Sequence, residues 1–118
     1  MTDSTSPAPL RVLFCYGISP AFFALPRAAQ PPVFAAFGTM FKAIQEMSGV
    51  KVIGTLDDDQ LMVGPSTTWP WTSYILADVA DLATVSAVCN LLRITPVGDD
   101  LLWKYARVEA RVGRAVHM

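Results

Sequence analysis

Toward its C-terminus the chain reads "LLWKYARVEARVGR", and its side chains divide by twos. Leu102, Ala106, Val108, Ala110 and Val112 fall on one side, interrupted by Lys104. Trp103, Tyr105, Arg107, Glu109 and Arg111 fall on the other. A period of two is that of a strand, whose successive side chains point to opposite faces. The first set makes an ordinary core face. The second is aromatic and charged, and what it looks at is the functional question.

The rest of the chain is read the same way. "RVLFCY" at 11–16 is β-branched and aromatic and predicts a buried strand. "GISPAFFALPRAAQPP" is broken by Gly and four prolines, so it predicts a long irregular connection. Its Phe22, Phe23 and Leu25 are apolar enough to be expected in packed positions. Pro31 and Pro32 open a helix, where a missing N–H costs nothing. Val33, Phe34, Phe37, Met40, Phe41, Ile44 and Met47 give it one broad apolar stripe. Gly49 suits a left-handed residue at its end. "VKVIGTL" at 50–56 is a strand, "DDDQ" a turn, and "LMVG" at 61–64 a returning hairpin arm. "WTSYILADV" is a further strand. Asp78 or Asp81 caps the next helix, which buries Leu82, Val85, Cys89 and Leu92. "TP" at 95–96 ends it, and "VGDD" turns into the last strand.

The order β–α–β–(β)–β–α–β, with two helices returning over one antiparallel sheet, predicts an α+β fold of the ferredoxin-like, split βαβ kind. Residues 1–9 form a small polar tail, expected to be disordered, and residues 10–118 one domain. In such a fold both helices cover one sheet face. The bare face would carry Trp103, Tyr105, Arg107, Glu109 and Arg111, with Tyr16, Tyr74 and Trp71 as further candidates. An aromatic face of this kind calls for a cover. The expected cover is the sheet of a second copy, which makes a dimeric α+β barrel with an enclosed cavity.

Composition sharpens this picture. Of 118 residues, 53% are hydrophobic and only 16% charged, a large apolar share for a small domain to hide alone. That favours a homodimer, an apolar pocket, or both. The net charge of −1 and the lack of a basic block offer nothing to a phosphate backbone, so no nucleic-acid partner is expected. No apolar run reaches membrane-spanning length, and the "VLFCYGISPAFFAL" stretch lacks the basic start of a signal peptide. The expected location is the cytoplasm, without a membrane partner. Cys15 and Cys89 are far apart, form no CxxC pair, and are expected as small buried hydrophobes.

The candidate chemistry sits on the bare face and beside it. Arg107 and Arg111 present forks that suit a carboxylate. Trp69 and Trp71, around Pro70, with Tyr74 and Tyr105, could stack on a planar ring. Glu109 is the candidate acid or base, although a flanking Arg opposes any rise in its pKa. Against this stands a plainer reading: Arg107, Glu109 and Arg111 as a solvated charge ladder, and the two tryptophans as a dimer contact. Asp57, Asp58 and Asp59 are read as a turn, so no metal site is expected, and no cofactor motif is present. The single His, His117, is the penultimate residue. A frayed end cannot hold a general base or a haem ligand in register, so haem-binding members of the dimeric α+β barrel class make a poor template.

Several stretches together, "LFCYG", "SPAFFALP", "GTLDDDQLMVGPS", "WPWTSYILADV", "CNLLRITPVGDDLLWKY" and "EARVGRA", resemble the small IacB-type proteins of bacterial indole-3-acetate catabolism. The resemblance spans roughly residues 11–115 and implies a dimeric α+β barrel. It implies a cytoplasmic enzyme or accessory protein handling an indole- or oxindole-derived carboxylic acid. It brings no catalytic set, and whether the protein is an enzyme stays open. A non-catalytic dimeric interaction module and a cofactor-independent monooxygenase are the alternatives.

Overall fold

The computed structural model describes residues 8–65 and 70–118. The first strand, β1 (Leu10–Ile18), leads into a one-turn helix, α1 (Pro20–Phe23), and a 3-10 turn (Arg27–Ala29). The long helix α2 (Pro31–Glu46) and strands β2 (Val50–Asp57) and β3 (Ser73–Val79) follow. Then come helix α3 (Leu82–Ile94), a small ribbon of β4 (Pro96–Val97) and β5 (Asp100–Leu101), a 3-10 turn (Leu102–Lys104) and β6 (Ala106–Gly113). The main sheet has the order β2-β3-β1-β6 with every neighbour antiparallel. This is the expected ferredoxin-like α+β arrangement.

The helix ends follow from local chemistry. Proline occupies the first turn of α2. The chain leaves that helix through Gly49 at φ 82, where a Cβ would be strained and would stand 3.3 Å from Ala80 Cβ. Asp81 caps α3, its Oδ1 accepting from the Thr84 N–H at 2.8 Å and the Thr84 hydroxyl at 2.7 Å. Asp78, the alternative cap, instead pairs with Arg11.

Both helices lie on one side of the sheet. Val12, Phe14 and Tyr16 of β1, Ile75, Ala77 and Val79 of β3, and Ala106 of β6 point into the core. They meet Val33, Phe37, Met40 and Ile44 of α2 and Val85, Val88 and Leu92 of α3. Tyr16, a candidate for the bare face, is therefore a core residue. Phe22 is buried as expected and Leu25 partly so, but Phe23 is 70% exposed because α1 has a single turn and only one side to bury. Leu82 is 64% exposed, since Val85, Val88 and Leu92 already fill the inward stripe of α3.

Two expectations fail. Residues 61–64 form no strand; β2 pairs directly with β3 over seven residue pairs. A strand needs a ladder, and the longer, more apolar β3 takes the place beside β2. Leu61, Met62 and Val63 are left 78%, 60% and 86% exposed. The last strand is also not continuous from Leu102. The Leu102 N–H donates to the Thr95 carbonyl at 2.8 Å, and the chain turns through Leu102–Lys104. Ser19 fastens this turn twice, its N–H donating to Tyr105 O and its hydroxyl to Lys104 O, each at 2.8 Å. The turn breaks the alternation, so Leu102 and Tyr105 are both buried in the core. Tyr105 does not reach the bare face, and its hydroxyl donates to Asp100 Oδ2 at 3.0 Å.

One end of the bare face carries an ion pair. Arg11 Nε donates to Asp78 Oδ1 at 2.6 Å across the β1–β3 ladder. This hydrogen bond is the main force holding the Asp78 carboxyl below its usual 3.8. A carboxyl depressed in the folded state adds stability above its unfolded pKa and loses it as pH falls through the folded value. Acid melts are expected to show a Tm that declines below about pH 4. Part of that decline should be absent in Asp78→Asn. An identical acid limb in that variant would show that the pair contributes nothing.

Candidate ligand-binding face

The bare face can be read row by row from the strand register, because residues paired across an antiparallel ladder share a side. One row is Lys51, Asp78 and Arg11. The next is Gly54, Leu76, Leu13 and Arg111. The third is Leu56, Tyr74, Cys15 and Glu109. Three of the expected site residues, Tyr74, Glu109 and Arg111, thus occupy one face in adjacent rows. A bulge in β2 between Val52 and Gly54 sets the register of that strand. It brings Gly54 opposite Leu76, where the missing side chain leaves a dip. Leu13, Gly54, Thr55, Leu56, Tyr74 and Leu76 line a shallow, mostly apolar concavity of about 390 Å³ there.

The polar end of the face is built around Cys15. Arg111 Nη2 stands 2.6 Å from Glu109 Oε2. That oxygen is buried, and the contact is a close ion pair. The neighbouring Cys15 sulfur and the Glu109 carboxylate both push the Arg111 pKa up, so the guanidinium is always charged. Cys15 itself is only 1% exposed although it lies on the uncovered face, because Tyr74 and Glu109 flank it across both ladders. Tyr74 donates to Asp58 Oδ2 at 3.0 Å and stands 3.3 Å from the Trp71 carbonyl oxygen. Burial first, and the bond to Asp58 second, push its pKa up, so it acts as a neutral donor.

The other expected site residues lie elsewhere. Arg107 belongs to the same strand side but turns back at the sheet edge. Its Nη1 donates to the Trp103 carbonyl at 2.6 Å and to the Ala106 carbonyl at 2.8 Å. Its guanidinium also lies 4.6 Å from the Trp103 ring centroid, and Arg93 lies 4.4 Å from the same ring. Trp103 thus packs against both guanidinium groups beside α3. Trp71 is half-buried just before β3. Trp69 lies outside the described residues. His117 is exposed in the coil after β6. Among the described residues no group of three or more His, Cys, Asp or Glu side chains could hold a metal ion. Cys15 completes the site without having been expected in it, and Asp58 joins it from among the three aspartates at 57–59. No signal in the sequence places Cys15 there, because β1 reads as apolar on both faces; nothing in "DDD" singles out Asp58.

No family model and no curated protein matches the chain. A crystal structure of a protein provisionally described as a chlorite dismutase does match in fold, with a TM-score of 0.53 at 16% identity. The match covers 95% of this chain and 45% of that one, so the chain spans less than half the length of the solved protein. The class defined is therefore the chlorite dismutase-like α+β barrel fold. Among the described residues, no helix is long and apolar enough to cross a membrane.

Proposed function

We propose that this protein binds a small aromatic carboxylic acid on its bare sheet face, and that the sheet of a second copy closes over it. The acid would be of the indole- or oxindole-acetate kind, and the setting cytoplasmic degradation of indole-3-acetate. The observation that carries this reading is the Arg111–Glu109 pair beside an apolar dip. The dip would take the ring against Leu13, Leu76 and Tyr74. Arg111 would take the carboxylate, because a guanidinium carries five N–H donors and its contacts with Glu109 and Cys15 do not use all of them. Glu109 would be the acid or base if the protein is an enzyme, and a counter-charge if it is a carrier. The α+β barrel fold supports the closure by a second sheet, since it provides one uncovered face per unit.

Calorimetric titration of the protein with indole-3-acetate and 2-oxindole-3-acetate tests this. Saturable heat with either acid, weakened in Arg111→Ala, is expected. Glu109→Gln should keep binding and, in an enzyme, abolish turnover. Silence with every acid would remove the reading. It would favour a purely protein–protein face, for which the internal pairing of Arg111 with Glu109 also speaks.

A further inference from the structure

We propose a second small-molecule site on the opposite side of the sheet, between α2 and the row Asp57–Ser73–Tyr16, for a neutral or cationic aromatic ring bearing an N–H donor. The floor follows from register: Tyr16 pairs with Ser73 and Ser73 with Asp57, so all three share the helix side. The roof is Phe34, Phe37 and Phe41 of α2, at spacings of three and four, which place them on one helix face. Two lobes result. One, of about 230 Å³, includes Tyr16, Gly17, Phe34 and Phe37. The other, of about 280 Å³, extends past Gln45, Val52 and Thr55. Phe41, Asp57 and Ser73 line both. Each lobe lies just below the range of about 300 Å³ and upward usual for drug-sized ligands, which suits one or two fused rings.

The lining sets the chemistry. Phe37 and Phe41 stand 5.7 Å apart, and the Tyr16 ring meets Phe41 edge-on at 5.4 Å. These are walls for a flat ring. Among the described residues Asp57 is the one charged residue lining either lobe, and no Lys or Arg joins it. A ligand N–H or ammonium is therefore favoured there and a carboxylate disfavoured. The Tyr16 hydroxyl has no surface open to the lobe, so Tyr16 contributes to the floor and not to the polar lining. Phe34, the residue at the outer end of the aromatic row, remains 57% exposed. The site is the charge-inverse of the bare face, so each can fail without the other.

The test is an NMR titration of the full chain, following backbone amides with tryptamine, indole and indole-3-acetate as probes. Tryptamine and indole should shift amides at 16–18, 34–41, 57 and 72–73, and indole-3-acetate should leave these in place. Asp57→Asn, at an exposed position, should weaken tryptamine about two- to fivefold and leave indole unchanged. Phe34→Ala should weaken both. No shifts in this set with either probe would overturn the proposal. So would equal binding of indole-3-acetate there, or affinities unmoved by both substitutions.

Discussion

Arg111→Ala is expected to weaken binding of an indole carboxylate about 10- to 100-fold, with little change in melting temperature. The magnitude is that of losing a charge-assisted hydrogen bond to an ionised group. The small effect on stability follows from exposure: the side chains of Arg111 and Glu109 are 58% and 39% accessible, so solvent screens their attraction. Arg107→Ala is the internal control. Its guanidinium is spent on two carbonyls and the Trp103 ring, so it should leave affinity within about twofold. Calorimetry on both variants checks this. Equal losses in the two would mean that the carboxylate sits at the strand edge, near Trp103.

Leu102→Ala is expected to destabilise the fold by about 2–5 kcal/mol, the range for emptying a fully buried leucine site. Leu102 is 0% exposed and packs in the core from within a turn, so its neighbours cannot close over the gap without moving that turn. The same turn delivers Tyr105 to the core and sets where β6 begins. Trp103→Ala, one residue on, should cost far less, because Trp103 is 39% exposed. Denaturant melts of the two variants give the comparison. A loss below about 1 kcal/mol in Leu102→Ala would mean that the turn is loosely packed.

The contrast between those two neighbours shows where the sequence was readable. β1, β3 and both long helices follow from runs of apolar residues at fixed period, and Asp81 and Gly49 mark their ends by local chemistry. The final strand misleads because its period-two pattern runs on through Leu102–Tyr105, although the backbone there has left the ladder. Lys104, a charge on the supposed core side, is the one sign of the break. "LMVG" misleads for another reason: strand propensity says nothing about whether a ladder partner is free. On the site, the parity of Glu109 and Arg111 was legible from the last strand alone. That Arg107 is drawn aside depends on Trp103, whose place is set by the turn. Tyr16 could not be assigned, because a strand flanked on both sides reads as apolar on both faces and its parity is fixed only by pairing.

Ligand binding at the bare face depends on Arg111 receiving the acid. The most direct measurement is an NMR titration with indole-3-acetate, following the amides of Leu13, Cys15, Tyr74, Leu76, Glu109 and Arg111. Saturable shifts concentrated in that set and lost in Arg111→Ala are expected. Shifts that bypass these residues, or none at saturating acid, would contradict binding at this face.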